Sequence, residues 1–371
     1  MRLSPFDDYP FHQQPTPFAT VATTDAHFND GYWFACYAPD WYFCAGLRLH
    51  PNVNVIDGWA TVAHANRQVS VRASRALHPR YDDLAVGPLR LSIVEPMRRL
   101  RLSAAANPAG LEFDLEFTPQ AAPFIENRYQ HFKYGAVVND LVRYTQVCRA
   151  HGHARVGGRA VPVDGWHAMR DHSWGVRSSM AMPTGIHGVD RRPGETDRRA
   201  FRLWVPFEVD DHCGFFNTHE DSDGRPLDFE GRLDYANGRS VQLVAVRHTL
   251  AYAPGTKRPT GGTLELVGED GETRRYELSL AGTPADVQGG GYYQGWRDHL
   301  GAGIYRGAET LEWDDYDTAP AEVPSGPPHV PITRRLGPTE YPMRMVAANG
   351  AAGMAHFEHT VSRAYPRYGF E

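Results

Sequence analysis

The densest group of chemically capable side chains lies in one short segment, Gly165–Gly175, which contains Trp166, Asp171, His172 and Trp174. At the two-residue period of a strand, His172 and Trp174 share one face, whereas Asp171 lies on the other. An imidazole can donate or accept a proton, and an indole face stabilises a nearby positive charge by about 0.5–2 kcal/mol. The segment therefore predicts acid–base chemistry that passes through a cationic intermediate.

Asp171 has two roles that the sequence leaves open. It could orient His172, or it could act as the acid itself if burial raises its pKa. The structural alternative for the whole segment is a corner in which Arg170 pairs with Asp171 and Trp174 fills the core. We favour the catalytic interpretation, with Asp171, His172 and Trp174 as its residues, because the imidazole and the indole share a face.

Aromatic and titratable residues elsewhere in the chain are candidates for binding a substrate in the same cavity. They are Trp166, Trp33, Tyr32, Trp296, Asp298, His299 and His359. Tyr32 and Trp33 belong to an aromatic run that forms either a hairpin core or the lining of a hydrophobic lumen. Asp298 and His299 would supply a second acid or base, and His359 is predicted to face a pocket.

Composition excludes several classes of protein. The 371 residues carry a formal charge of −6, which gives no electrostatic footprint for nucleic acid. No apolar run approaches the roughly 18 residues of a membrane span, and the N-terminal residues do not read as a signal peptide, so we expect a cytoplasmic protein. The four cysteines form no zinc spacing, and His151 and His153 lack a third ligand nearby, so no metal is expected.

The elements that must position these residues are strands. Apolar and polar residues alternate over Leu111–Phe117 and Phe201–Phe207, which is typical of half-buried strands. Asn-Gly and Asp-Gly turns predict two hairpins, Leu233–Val246 and Leu264–Leu280. The 36 glycines and 28 prolines agree with many turns, and the fold class is therefore all-β.

Three segments depart from this pattern of short hairpins. Phe124–Val147 is predicted to be a helix, Asp314–Gly337 an extended proline-rich loop, and Met343–Ser362 a last strand. An antiparallel barrel of about 150 to 180 residues fits twice into this length. We therefore predict two tandem β-barrels, formed by residues 1–160 and 161–371.

The segment Asp171-His172-Ser173-Trp174-Gly175 resembles the D-H-x-W-G signature of the carotenoid 1,2-hydratase-like (hydroxyneurosporene synthase-like) and AttH-like proteins, to which tocopherol cyclase is similar. Looser similarity extends to Asn29–Phe34, Gly295–His299 and Phe357–His359. The resemblance implies two lipocalin-like barrels, a hydrophobic substrate and cofactor-free acid chemistry on a C=C bond or an alcohol. It also implies that His172 and Trp174 line the pocket.

Our hypothesis is an enzyme that moves a proton on an isoprenoid, steroid or polycyclic molecule, as a hydratase or dehydratase, isomerase or cyclase. Two alternatives stay open. One is a non-catalytic carrier of a hydrophobic ligand, since a fold does not fix a function. The other is a carbohydrate lyase or hydrolase that uses paired carboxylates, such as Asp171 with Asp298 or Glu309. The expected partner is a hydrophobic small molecule rather than nucleic acid, and a homodimer is left open.

Overall fold

The fold consists of two antiparallel β-sheets, each rolled around its own core. The computed structural model describes residues 5–8, 10, 12, 14–133, 136–178, 198–292, 295–298, 300–319 and 339–371. Short 3₁₀ turns lie at Pro5–Asp8, Pro51–Val53, Gln288–Gly290 and Pro366–Tyr368. The described residues contain no helix with the length and apolar character needed to cross a bilayer.

Thirteen of the described strands form the first sheet, which curls into a nearly closed barrel. They are β1 (Phe28–Ala38), β2 (Trp41–His50), β3 (Val55–His64), β4 (Arg67–Ala76), β5 (Ala85–Val86), β6 (Leu89–Glu95), β7 (Arg99–Ala104), β8 (Leu111–Pro119), β9 (Phe124–Ile125), β10 (Tyr129–Lys133), β11 (Ala136–Val156), β12 (Arg159–Arg177) and β19 (Glu309–Asp317). The order along the sheet is β19-β4-β3-β2-β1-β12-β11-β8-β7-β6-β5, with β9 and β10 also paired to β11.

Eight strands of the second sheet close into a barrel, because β13 pairs with both β14 and β21. The strands are β13 (Phe201–Val209), β14 (His212–Glu220), β15 (Pro226–Tyr235), β16 (Ser240–Tyr252), β17 (Pro259–Gly268), β18 (Thr273–Leu280), β20 (Glu340–Ala347) and β21 (Ala352–Val361). The predicted hairpins at Asn237-Gly238 and Asp270-Gly271 are confirmed as the β15–β16 and β17–β18 connections. The all-β prediction with two tandem lipocalin-like barrels is therefore confirmed.

One face of β12 packs into the core of the first barrel, and the other faces the second barrel. Ala168 belongs to the core of the first barrel, together with Phe34 of β1 and Cys148 of β11. Residues one position away face outwards, and Met169 packs with Trp204 of the second barrel in a cluster between the two barrels. Adjacent residues of β12 therefore lie on opposite sides of the first barrel wall.

Three predictions about secondary structure were wrong. Phe124–Val147 is not a helix but β9, β10 and the first half of β11. Met343–Ser362 is not one strand but most of the β20–β21 hairpin, which turns at Asn349-Gly350. Asp314–Asp317 is part of β19 rather than loop, and residues 320–338 lie outside the described part of the chain.

The division of the chain at residue 160 stays a prediction. The strand pairing places β12, which begins at Arg159, beside β1 in the first sheet. It also returns β19 from the C-terminal half to pair with β4. The first barrel is thus built from two separate stretches of sequence.

Candidate acid–base site

Three neighbouring strands bring His172 together with two tyrosines. Tyr32 of β1 and Tyr144 of β11 are the cross-strand partners of His172 on β12. Tyr32 stacks on the imidazole with ring centroids 4.1 Å apart, and Tyr144 meets it edge-on at 5.6 Å. Trp174, two residues along β12, lies 5.2 Å from the imidazole. His172 therefore lies among three aromatic rings, as the shared face of His172 and Trp174 predicts.

Both nitrogens of the His172 ring have polar partners. Nε2 lies 2.7 Å from Oδ1 of Asp30, and Nδ1 lies 3.4 Å from the hydroxyl of Tyr144. A carboxylate can only accept, so Nε2–H donates to Asp30 and Nδ1 is left as the acceptor. Asp30 thereby fixes the tautomer and would stabilise an imidazolium.

Tyr144 connects the histidine to a buried cation. Nη1 of Arg170 donates to the Tyr144 hydroxyl at 2.9 Å, and its Nε donates to Gln146 at 2.9 Å. Arg170 is only 2% exposed, and its guanidinium lies 5.0 Å from the Tyr144 ring centroid. Because Arg170 donates to the hydroxyl oxygen, the hydroxyl hydrogen of Tyr144 is left to donate to Nδ1 of His172.

One side of the site is open to solvent. Trp174 is 39% exposed and the side chain of Asp30 is 42% exposed, whereas that of His172 is 18% exposed. Burial and the nearby charge of Asp30 raise the pKa of Tyr32 far above neutrality, so its hydroxyl stays protonated. A molecule approaching from the open side would meet the Trp174 indole beside the imidazole.

Glycine is required at position 175, where β12 packs tightly against β11. Its φ is +135°, and a Cβ there would lie 2.2 Å from the carbonyl oxygen of Asp140. No side chain fits into that space, so only glycine allows β12 to pack here directly after Trp174.

Asp171 lies on the opposite side of the barrel wall from His172. It is buried, and its Oδ1 has no hydrogen-bond partner among the described residues. Burial raises the pKa of Asp171 to about 6, although Arg143 and Arg48 oppose this rise. Within the described part of the chain no hydrogen bond joins it to His172, and the carboxylate that contacts the imidazole is Asp30.

The other aromatic candidates lie away from His172. Trp33 faces the second barrel, where it is 6.3 Å from Trp204 and 4.9 Å from His356 between ring centroids. Trp166 lies near the middle of β12, where it is partly buried against Phe43. Of the three candidates Tyr32, Trp33 and Trp166, only Tyr32 contacts the imidazole.

The candidates from the C-terminal half are also separated from this site. Trp296 is fully buried, with the Arg306 guanidinium 4.0 Å from its ring centroid, and Asp298 is paired with the same arginine. His299 lies outside the described residues. Glu309, the other carboxylate of the carbohydrate alternative, is exposed and pairs with Arg80.

His359 belongs to the interior of the second barrel. Its Nδ1 donates to the carbonyl of Arg202 at 3.0 Å, and its Nε2 accepts from the hydroxyl of Tyr252 at 3.0 Å. Burial lowers the pKa of His359 to about 3, so the ring is neutral at physiological pH. These contacts account for both ring nitrogens.

Sequence reasoning missed Asp30 and Tyr144. Asp30 is two residues before Tyr32 on a strand, so the two side chains share a face, and that spacing was the available signal. Tyr144 was assigned to a helix, which hid its place beside His172. Among the described residues, no three His, Cys, Asp or Glu side chains gather as metal ligands would.

The model of a family of unknown function, DUF8625, matches residues 3–325, and no curated protein sequence matches the chain. The crystal structure of an AttH-like protein from Nitrosomonas europaea superposes with a TM-score of 0.56 at 12% identity, covering 96% of this chain and 98% of that one.

A second solved structure is that of kievitone hydratase from Nectria haematococca. It gives a TM-score of 0.49 at 11% identity, covering 90% of this chain and 89% of that one. At such low identities these likenesses concern the fold alone. The first of these two structures confirms the resemblance to AttH-like proteins at the level of the fold.

Proposed function

This chain belongs to the DUF8625 family of unknown function, and we propose that it is an enzyme that moves a proton on a hydrophobic isoprenoid, steroid or polycyclic substrate. The reaction would be a hydration or dehydration, an isomerisation or a cyclisation. One observation carries the proposal: His172 is held between Asp30 and Tyr144 and is surrounded by the rings of Tyr32 and Trp174.

The contacts suggest how the proton would move in a hydration. An acidic group, His172 in its imidazolium form, donates a proton to one carbon of a C=C bond and leaves a carbocation on the other. Water adds to that carbon, and the resulting oxonium returns a proton to the neutral imidazole, which restores the site. Asp30 stabilises the imidazolium, and dehydration is the same sequence in reverse.

The aromatic rings suit a cationic intermediate. An indole face attracts a cation through its quadrupole, and Trp174 is 39% exposed with its ring centroid 5.2 Å from that of His172. Tyr32 covers the other face of the imidazole, where it limits the access of water to the reacting atoms. The aromatic surroundings support a hydrophobic substrate, and the D-H-x-W-G resemblance supports the same substrate class.

The proposal is tested first by searching for the substrate. Native mass spectrometry of freshly purified protein would reveal a co-purified hydrophobic ligand. Alkenes and alcohols of the isoprenoid, steroid and polycyclic classes would then be incubated with the protein in D₂O. We expect at least one compound to gain or lose water, or to acquire deuterium at carbon.

Variants then assign the reaction to the site. We expect His172→Ala to abolish turnover and Tyr144→Phe to reduce it, with unfolding curves close to that of the unchanged protein. The matched control is His153→Ala, an exposed histidine on β11, which should leave turnover unaltered. A bound ligand without any turnover would favour a carrier, and near-normal turnover in His172→Ala would rule out the assignment.

A further inference from the structure

A cavity of about 530 Å³ lies between the two barrels. One wall comes from the first sheet and includes Glu126 and Arg143. The other comes from the second barrel and includes Arg202, Asn217 and Glu230. The wall formed by β11 and β12 separates this cavity from the imidazole of His172, which faces the core of the first barrel. The cavity therefore has no part in the proposed proton transfer.

Asn217 presents an unused acceptor to this cavity. The residue is only 9% exposed, and its Nδ2 donates to Oε1 of Glu230 at 3.3 Å. Its Oδ1 has no partner among the described residues. Since buried polar atoms in folded proteins are almost always hydrogen-bonded, this oxygen calls for a donor from a bound molecule or water.

Glu230 adds a group that can both accept and donate. Its Oε2 accepts the backbone N–H of Asn127 at 2.6 Å, which fixes the carboxyl in the wall of the cavity. Burial, with the nearby charge of Glu126, raises the pKa of Glu230 to about 7. Near neutral pH the carboxyl is thus present in both its protonated and its ionised form.

The opposite wall is fixed by interactions of its own. Both oxygens of Glu126 are bound to the guanidinium of Arg143, and Thr145 and Trp204 donate to the same carboxylate. A carboxylate used in this way has little capacity left for a ligand. The open hydrogen-bonding capacity that we identify in the cavity lies with Asn217 and Glu230.

The character of the lining points to the class of ligand. An apolar molecule would leave Asn217 Oδ1 without a donor, whereas a hydroxyl group donates to the amide and also exchanges hydrogen bonds with a carboxyl. Tyr129 and Phe229 add two aromatic rings to the lining, and the Arg199 guanidinium lies 4.7 Å from the Tyr129 ring centroid. Asn217 and Glu230 are thus complementary to hydroxyl groups carried on a compact ring.

We propose that the space between the barrels is a second ligand site, which binds a polyhydroxylated molecule of sugar or cyclitol size through Asn217 and Glu230. This inference goes beyond the proposed function, because it concerns a different face of the first barrel wall and another class of ligand.

The test uses the full chain with maltose, sucrose and myo-inositol as probes, examined one at a time. Saturation-transfer NMR detects binding, and calorimetric titration gives the Kd of each probe that binds. We expect at least one probe to bind, with a Kd that rises at least tenfold in both Asn217→Ala and Glu230→Gln. Glu230→Gln keeps an acceptor for the Asn127 N–H and therefore preserves the wall of the cavity. This variant still tests the proposal if Asn217→Ala fails to fold.

Two exposed residues of the second barrel give matched controls. Gln242→Ala removes an amide and Glu277→Gln neutralises a carboxylate, and both should leave the Kd unchanged. The proposal is overturned if none of the probes binds, or if they bind Glu230→Gln as tightly as the unchanged protein. If Asn217→Ala and Glu230→Gln lose binding of the probe but keep normal turnover in the D₂O assay, the two sites are independent.

Discussion

Nε2 of His172 and Oδ1 of Asp30 lie 2.7 Å apart, although the two residues are separated by 142 positions in the chain. The contact exists because β1 and β12 pair directly, with Asp30 opposite Trp174 and Tyr32 opposite His172. It leaves Nδ1 as the acceptor that faces Tyr144. The orientation of the imidazole thus depends on a carboxylate outside the D-H-x-W-G segment.

The first prediction concerns this carboxylate. Asp30→Asn removes the charge that stabilises an imidazolium, so we expect turnover of the substrate found in D₂O to fall by about 10²–10⁴-fold. Folding should be little affected, because the Asp30 side chain is 42% exposed. The control is Asp40→Asn in the β1–β2 turn, where φ is +68° and asparagine is well tolerated. Equal turnover in the two variants would remove Asp30 from the mechanism.

The fold class was predictable because strand alternation is a local signal. Leu111, Phe113, Leu115 and Phe117 are all buried in β8, as their spacing requires. The segment around Tyr144 was mistaken for a helix, and its burial does not alternate, since Thr145, Gln146 and Val147 are all buried. Its pattern is weak because both faces of β11 are partly covered, one by the barrel core and one by the second barrel.

Only part of the candidate site was predictable, because local spacing determines which side chains share a face but not which strands pair. The shared face of His172 and Trp174 follows from the strand period alone, but the partner of the histidine follows from which strands pair. Trp33 illustrates the limit: it is next to Tyr32 in the chain, yet it lies across the barrel wall against Trp204. Pairing between β1 and β12 is a long-range property that spacing does not encode.

A second prediction follows from the pKa of Asp171. The carboxyl titrates near 3.8 when unfolded and near 6 when folded, because burial outweighs the attraction of Arg143 and Arg48. The folded state therefore binds the proton more tightly, and the stability that this provides is full below pH 4 and is lost as the pH rises through 6. The protonated carboxyl contributes about 3 kcal/mol to the free energy of unfolding when this stabilisation is full.

Asp171→Asn removes this dependence on pH. Between pH 4 and pH 8 the free energy of unfolding of the variant should gain about 2 kcal/mol relative to the unchanged protein, as measured by urea unfolding at both values. Asp82→Asn, at an exposed position, serves as the control. A difference that is constant with pH would show that Asp171 is ionised in the folded state throughout this range.

The third prediction concerns the contact of Gly175 with β11. Gly175→Ala places a methyl group against the carbonyl of Asp140, so we expect a loss of about 2–4 kcal/mol in the free energy of unfolding. Gly238→Ala is the matched control, since its φ is +86° but nothing lies within 4 Å of the added Cβ. Gly238→Ala should lower the free energy of unfolding by only about 1 kcal/mol. Equal losses would mean that β11 moves aside without cost.

The last prediction concerns the buried pair of Glu126 and Arg143, which lies where the two barrels meet. Nε of Arg143 donates to Glu126 at 2.6 Å, and Trp204 of the second barrel donates to the same carboxylate at 3.2 Å. Glu126→Gln leaves the guanidinium buried without its counter-charge, so we expect it to cost about 3–5 kcal/mol in urea unfolding.

The double variant Glu126→Leu/Arg143→Met separates the charge effect from simple loss of packing. It removes both charges and keeps similar apolar volume, so it should cost much less than the sum of the corresponding single variants. A coupling free energy above about 1 kcal/mol in this cycle would establish the pair as a unit. If Glu126→Gln costs under about 1 kcal/mol, water from the neighbouring cavity solvates the Arg143 guanidinium well enough to replace the carboxylate.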